Sequence, residues 1–464
     1  MMDRNQSEPQ AVLSVFDAVT IMVGLVVGIG IFRTPSIVAS NVESEGMFLL
    51  VWIAGGMTTL IGALCYAELS AAHPHAGGEY HFLSLAYGRP VAMMFGWARC
   101  SVIQTGAIAA VAFTLGDYLA LIAPAGAHGP ALYAALSIGM LTAVNVIGTI
   151  EGKNLQIVVT FIEVGAVAAI ILFGLFGSAD TAERAAASAP PETAAVGMAM
   201  IFVLLTYGGW NEAAYLTGEL KDAPRNIAKV LSVGTLLLVT LYALANLALL
   251  SILGLDGLRA SDAVAAEMMR AVAGPTGEFM VTAAIVIAAI STLNATIFTG
   301  ARVYYAMARD LTVLRCLGVW DGRGKTPANG QMAQGAIALA LVALGTVTRE
   351  GFKAMVDYTA PVFWGFLLMV GLSVFVLRRR HPLRKLPYRV PFYPVTPIIF
   401  CLTCLYMTYA SVMYTGAAAL VGLAVLAAGA PILLFRQKDE KDGAPGRDAV
   451  PEQHLPATPT TGES

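Results

Sequence analysis

The stretch Gly28-Ile29-Gly30-Ile31-Phe32 lies inside the first long apolar run of the chain, with Arg33 and Pro35 directly after it. Each glycine weakens a helix by about 1 kcal/mol relative to alanine. Proline removes a backbone donor and starts a new helix well. Tyr207-Gly208-Gly209-Trp210-Asn211 has the same character in a later apolar run. Non-helical backbone at membrane depth is tolerated only where it lines a cavity or is buried in protein. There, freed amides can hold a carboxylate and freed carbonyls an ammonium. The plainer reading of either motif is close packing: Gly24 and Gly28 make a small-xxx-small face, and the paired glycines make a notch beside an aromatic. Either motif alone is weak. As a pair they fall in the first and sixth apolar runs, where a five-plus-five inverted repeat would put corresponding helices, and matched breaks of that kind point to a solute site.

Charges inside apolar runs are the second signal. Glu163 sits near the middle of Val159-Thr160-Phe161-Ile162-Glu163-Val164-Gly165. An acid there costs about 2.5–3.5 kcal/mol to insert, so it must face the protein interior. Two readings stand: an acid paired with Arg99, Arg33 or a backbone donor, or a coupling site that binds H⁺ or a cation. Arg33 either reaches an outer vestibule or snorkels towards Glu43 or Glu45. Glu219, after the second break, is expected to tie the inner end through Arg225 or Lys221, and Glu212 is its neighbour in sequence. Asp17 and Glu68 are read as caps or gate ion pairs. The six histidines (His73, His75, His81, His128, His381 and His454) lie in loops, near helix ends or in the tail, and no metal spacing connects them. Cys401 and Cys404 form a CxxC inside an apolar helix, and the odd total of 5 cysteines implies no disulfide framework.

The elements that must position these residues are membrane helices. The chain is 57% hydrophobic and 12% charged, about half the charge of a soluble protein. Its apolar runs are long enough to cross a bilayer, which takes about 20 residues. Twelve helices are read at roughly 12–40, 46–72, 90–122, 129–149, 154–177, 194–218, 228–253, 277–305, 332–348, 358–377, 394–413 and 416–435. Most of the 28 Lys and Arg fall on the side of the two termini; only Arg184, Arg259, Arg270, Arg349 and Lys353 fall on the other. This asymmetry places both termini in the cytoplasm. Residues 1–11 form a cytoplasmic segment, 12–435 the transmembrane domain, and 436–464 a charged, Pro- and Thr-rich tail expected to be disordered. Asp256–Glu278 is expected to carry a short surface helix. The polar first ten residues give no expectation of a cleavable signal peptide. High Ala and Gly content suits a bacterial inner membrane. The net charge of −2 gives no reason to expect nucleic acid.

Several motifs together resemble the amino acid–polyamine–organocation superfamily, and within it the L-type and related bacterial amino acid permeases. Gly28 to Phe32 resembles the family's GSGIF-type break. Pro74-His75-Ala76-Gly77-Gly78-Glu79-Tyr80 resembles its P-x-x-G-G-x-Y loop. Tyr207 to Asn211, running on to Gly218-Glu219-Leu220-Lys221 and Pro224-Arg225-Asn226-Ile227, resembles the sixth-helix signature. Asn294 to Arg309, with Thr326-Pro327, resembles the eighth helix and its loop. The resemblance implies an all-α, LeuT-like fold of twelve helices, with helices one to five (about 12–177) and six to ten (about 194–377) as inverted repeats and helices eleven and twelve at about 394–435. It implies a substrate between broken helices one and six, lined by Val26, Gly28, Ile29 and Gly30 and by Leu205, Thr206, Tyr207 and Gly208. The sequence departs from the pattern in three places. Relatives often have a small residue at the Ile29 position, large-substrate transporters carry an aromatic gate at the Leu205 position, and many carry lysine where Glu163 stands. Tyr207 or Trp210 is then the expected gate over the site.

The expected function is secondary active transport of neutral, small or aliphatic amino acids by alternating access, as H⁺ or cation (Na⁺) symport or as exchange, with no cofactor. A sensor of the same fold, or a polyamine or organic cation transporter, is the alternative. An intramembrane enzyme would need His, Asp or Ser clusters within the spans, and the histidines lie outside them. A channel would lack a closed substrate pocket.

Overall fold

The computed structural model describes residues 11, 13–28, 30–75, 77–147, 153–177, 195–310, 316–317, 319, 327–348, 351–380, 386–414 and 416–435. Ile29, residues 182–192, most of the N-terminal segment 1–11 and residues 436–464 lie outside the described residues.

Among the described residues nine helices are long and apolar enough to cross a membrane, and α1 (Val15–Val26) with α2 (Gly30–Ala39) makes a tenth if the bent pair counts as one span. The others are α3 (Glu45–Ala72), α5–α6 (Arg89–Ala98, Gln104–Ile122), α7 (Gly129–Ile147), α8 (Lys153–Phe176), α10 (Ala223–Ala260), α11 (Val264–Asp310), α12 (Ala328–Thr348), α13 (Gly351–Arg380) and α14 (Val395–Tyr414). Between them lie α4 (Gly78–Tyr87) and α9 (Val196–Thr206). After α14 comes α15 (Ala417–Ala428). The predicted sixth and twelfth spans are therefore built differently from the rest. α9 stops after 11 residues and continues as a 3₁₀ helix, Trp210–Gly218, and α15 has 12 residues. The region 256–278 is helical in two pieces, set off by bends at Gly254 and Gly274.

The outer surface of the bundle is apolar in helical stripes. Leu132, Leu136, Met140, Val144 and Ile147 are exposed along one face of α7, as are Leu50, Ile53 and Met57 on α3. Such faces suit contact with acyl chains. The polar groups of these helices turn inward: Asn145 Nδ2 of α7 donates to Asn294 Oδ1 of α11 at 2.7 Å.

We call the face on which α1 begins the inner face. There, Ser14 and Asp17 form a capping box: the Asp17 N–H donates to Ser14 Oγ at 3.2 Å and the Ser14 N–H to Asp17 Oδ2 at 3.0 Å. Just before this cap the chain pairs with the segment after the 3₁₀ helix. Leu13 N–H donates to Glu219 O at 2.8 Å and Lys221 N–H to Leu13 O at 3.0 Å. The inner halves of the two interrupted spans are thus joined through backbone. Arg225 pairs with Asp222 at 3.5 Å, so backbone, and not the Glu219 side chain, makes this junction.

Candidate functional site

Both expected breaks are present, and they meet. α1 and α2 are bent by 46°, with Val27 leaving helical geometry (φ −71, ψ 63). α9 ends at Thr206, and Gly209 takes φ 103 before the 3₁₀ helix begins. That backbone belongs to glycine. A Cβ at Gly209 would also lie 3.0 Å from Leu25 O, at the end of α1. At Gly30 a Cβ would lie 3.1 Å from Thr206 Cγ2, so α2 and α9 touch where both are interrupted. Packing explains Gly24 instead: a Cβ there would overlap the Thr160 side chain of α8.

The meeting point gathers four helix ends. The negative ends of α1 and α9 and the positive ends of α2 and the 3₁₀ helix converge, and the first-turn amides of α2 have no partner within α2. Thr206 Oγ1 donates to Thr34 Oγ1 at 2.8 Å, locking α9 to α2. Val26, Gly28, Thr206 and Tyr207 are buried, while Gly30, Leu205 and Gly208 are partly open. Thr292 of α11 stands beside Gly28, 3.8 Å from where its Cβ would be.

Tyr242 of α10 carries no motif that marks it in the sequence. Its hydroxyl lies 2.7 Å from Val26 O, to which it donates, and 3.5 Å from Thr206 O. One buried phenol therefore reaches the last carbonyls of both broken helices. Its ring packs on Tyr207, centroids 4.9 Å apart, and on Trp52. Tyr207 points to α3, with its hydroxyl 3.4 Å from Trp52 O. Trp210 also turns to α3, against Tyr66 at 4.8 Å, and to Phe400 of α14.

Glu163 of α8 is 1% exposed, and neither carboxyl oxygen has a hydrogen-bond partner among the described residues. Thr292, whose hydroxyl is also unpaired there, is a polar side chain beside it, and the Tyr242 phenol lies within electrostatic reach. Neither arginine considered for Glu163 reaches it. Arg33 turns to the outer face, donating to Asp262 O at 2.6 Å and Asp262 Oδ1 at 2.9 Å, with Asp117 at 3.9 Å. Those acids, and not Glu43 or Glu45, are its partners. Arg33, Asp117, Asp262 and Phe352 line a cavity of about 660 Å³ on that side, roughly one helical turn beyond Gly30.

Arg99 belongs to an inner network. It sits at the start of a π-helical turn, Arg99–Ile103, between α5 and α6. Arg99 NH2 donates to both Glu212 oxygens (2.5 and 2.7 Å), and NH1 donates to Glu79 Oε2 (3.2 Å) and the Tyr215 hydroxyl (2.9 Å). Glu79 also accepts from Tyr66 (2.6 Å), Asn211 (2.9 Å) and Tyr215 (3.1 Å). One guanidinium thus joins α4, the α5–α6 span and the 3₁₀ helix beneath the second break. Glu79 lies within the P-x-x-G-G-x-Y stretch, which was the available signal for it. Glu68 of α3 forms a bidentate pair with Arg378 of α13 at 2.6 and 2.5 Å.

A bundle of apolar spans with interrupted helices meeting at its centre, and ion-paired clusters above and below, describes a polytopic membrane permease. Residues 13–432 match the family described as amino acid permease, and the chain belongs to that family. It is 29% identical to the b(0,+)-type amino acid transporter 1 of Mus musculus, over 87% of this chain and 83% of that one. It is 27% identical to the serine/threonine exchanger SteT of Bacillus subtilis (strain 168), over 82% and 86%. It is 28% identical to the large neutral amino acids transporter small subunit 2 of Mus musculus, over 90% and 80%. The protein is an integral membrane amino acid transporter, not an enzyme. Among the described residues no group of three or more His, Cys, Asp or Glu could hold a metal ion.

Proposed function

We propose that the protein carries neutral amino acids, small or aliphatic, by alternating access, with the substrate held where α1–α2 and α9 with its 3₁₀ continuation are interrupted. The observation that carries this reading is the contact of the two breaks: Gly30 against Thr206, with Tyr242 reaching the carbonyls of Val26 and Thr206. A zwitterion needs donors for its carboxylate and acceptors for its ammonium, and opposed helix ends supply both. Val26, Gly28, Ile29, Gly30, Leu205, Thr206, Tyr207 and Gly208 are the lining residues in this reading. Leu205 in place of an aromatic favours small or aliphatic substrates. The serine/threonine exchanger and large-neutral transporter among the relatives support a neutral cargo.

In the same reading the chain has twelve spans, helices one to five and six to ten are inverted repeats, and both termini are cytoplasmic, so that the inner face is the cytoplasmic one. Arg99 and its two acids close the cytoplasmic side and must part when the site opens inward. Glu163 takes up and gives back H⁺ or a cation during the cycle. Its orphaned carboxyl supports this, because an ionised carboxylate without a partner is too costly to keep buried.

The test is uptake by purified protein in liposomes, with a panel of labelled amino acids, with and without a pH gradient and with amino acid inside. Saturable uptake or exchange of small neutral amino acids is expected. Binding without flux would make the protein a sensor. Uptake of polyamines instead would overturn the substrate assignment.

A further inference from the structure

A second cavity, of about 530 Å³, opens at the inner face between the ends of α3 and α13 and the segment leading into α14. Its charges are unbalanced. Arg378 is committed: Glu68 holds it at two points, and its guanidinium lies 3.7 Å over the Tyr393 ring. Glu68 accepts in addition from the Val390 N–H at 2.7 Å. That pair is neutral and fixes the wall. Arg379 and Arg389 line the same cavity, are exposed, and have no anionic partner among the described residues. The rest of the wall is largely apolar, including Leu69 and Leu377.

A cavity with two uncompensated guanidinium groups and an apolar wall suits an anion attached to a hydrocarbon. Guanidinium groups bind phosphate oxygens through paired N–H donors. Basic pockets between membrane helices at the cytoplasmic side take anionic headgroups. Leu372 and Val395, two residues from the lining residues Val374 and Tyr393 in sequence, are exposed apolar side chains that suit contact with acyl chains. We propose that this cavity is a binding site for the phosphate of an anionic phospholipid, held by Arg379 and Arg389. The same phosphate chemistry exists in soluble anions, but those would leave the apolar wall unmatched. The site lies apart from the helix breaks and does not depend on which amino acid is carried. It joins α3, whose Tyr66 supports Glu79 of the inner network, to α13 and the approach to α14.

The test measures lipid retained by the purified full-length protein after exchange into mixed micelles of phosphatidylglycerol and phosphatidylcholine. A parallel arm offers inorganic phosphate alone and follows thermal unfolding. The wild type is expected to retain phosphatidylglycerol over phosphatidylcholine. Arg379→Gln and Arg389→Gln should each lower that preference about fivefold, the worth of one basic residue near a charged headgroup layer. Arg379→Lys with Arg389→Lys should recover most of it, which separates lost charge from lost folding. Arg225→Gln, removing an exposed inner-face arginine elsewhere, should leave it unchanged. Equal retention of the two lipids, or an equal loss in Arg225→Gln, would overturn the site. Stabilisation by inorganic phosphate that needs Arg379 and Arg389, without lipid retention, would overturn the lipid assignment in favour of a soluble anion.

Discussion

Tyr242 offers one hydroxyl to the last carbonyls of the two broken helices, those of Val26 and Thr206. Tyr242→Phe keeps the ring against Tyr207 and Trp52 and removes only that group. Losing one buried hydrogen bond costs about 1 kcal/mol, so uptake should weaken about fivefold in KM with the fold intact. An unchanged KM and rate would mean that the phenol does not organise the site. Glu163→Gln tests a different role. The amide has nearly the same size and cannot exchange a proton, so uptake should become equal at acid and alkaline outside pH while substrate binding survives. A persistent pH response would remove Glu163 from coupling. The glycine breaks were legible because glycine pairs inside a long apolar run conflict with helix propensity. Tyr242 was not legible, because one tyrosine in an apolar span looks like any aromatic core residue until α10 is set against α1 and α9.

At the scale of elements, the Arg99 network depends on two departures from α-helical geometry. A π-helical turn presents Arg99, and a nine-residue 3₁₀ helix presents Glu212 and Tyr215. Long 3₁₀ runs are uncommon, and π turns cluster at functional positions. Neither can be read from hydrophobic periodicity, which is why the sequence suggests Glu163 as a partner for Arg99 and not Glu79 and Glu212. Glu79 and Arg99 are buried, whereas the Glu212 side chain is 30% exposed. Glu212→Gln therefore leaves Arg99 with one acid and should loosen the inner closure without unfolding the protein. A cysteine at buried Ala214, on the same 3₁₀ helix, should then react faster with a membrane-impermeant thiol reagent from the inner side. Arg99→Ala is the harsher change, because it strands a buried carboxylate; removing one partner of a buried pair costs about 3–5 kcal/mol. Identical labelling of Ala214→Cys with and without Glu212→Gln would show that this network is scaffold and not gate.

For the whole molecule, the two charged clusters differ in kind. In the inner one Arg99 and Glu79 are buried, and the Glu212 side chain is 30% exposed. The outer one rests on Asp262, whose side chain is 91% exposed, reaching Arg33 on α2. An exposed ion pair is worth about 0–1 kcal/mol and is screened by salt; a buried one is screened far less. The outer closure is therefore the weaker, and the resting protein should open outward more readily than inward. The sequence offered Glu163 to Arg99 and Glu43 or Glu45 to Arg33, so neither cluster was legible in it, and their strengths depend on burial that no sequence pattern prints. Asp262→Asn should raise the reactivity of a cysteine at Ser36, in the outer cavity, by up to about fivefold, the most an exposed pair of this kind returns. Raising the salt concentration should do the same to the wild type and less to the variant, in which the Arg33–Asp117 pair at 3.9 Å remains. Adding Glu212→Gln to Asp262→Asn should pull the balance back, because the two changes ease opposite closures of one site. Should the combined variant label at Ser36→Cys as fast as Asp262→Asn alone, the clusters are not opposed across a single cycle, and alternating access would have to be driven by something other than their competition.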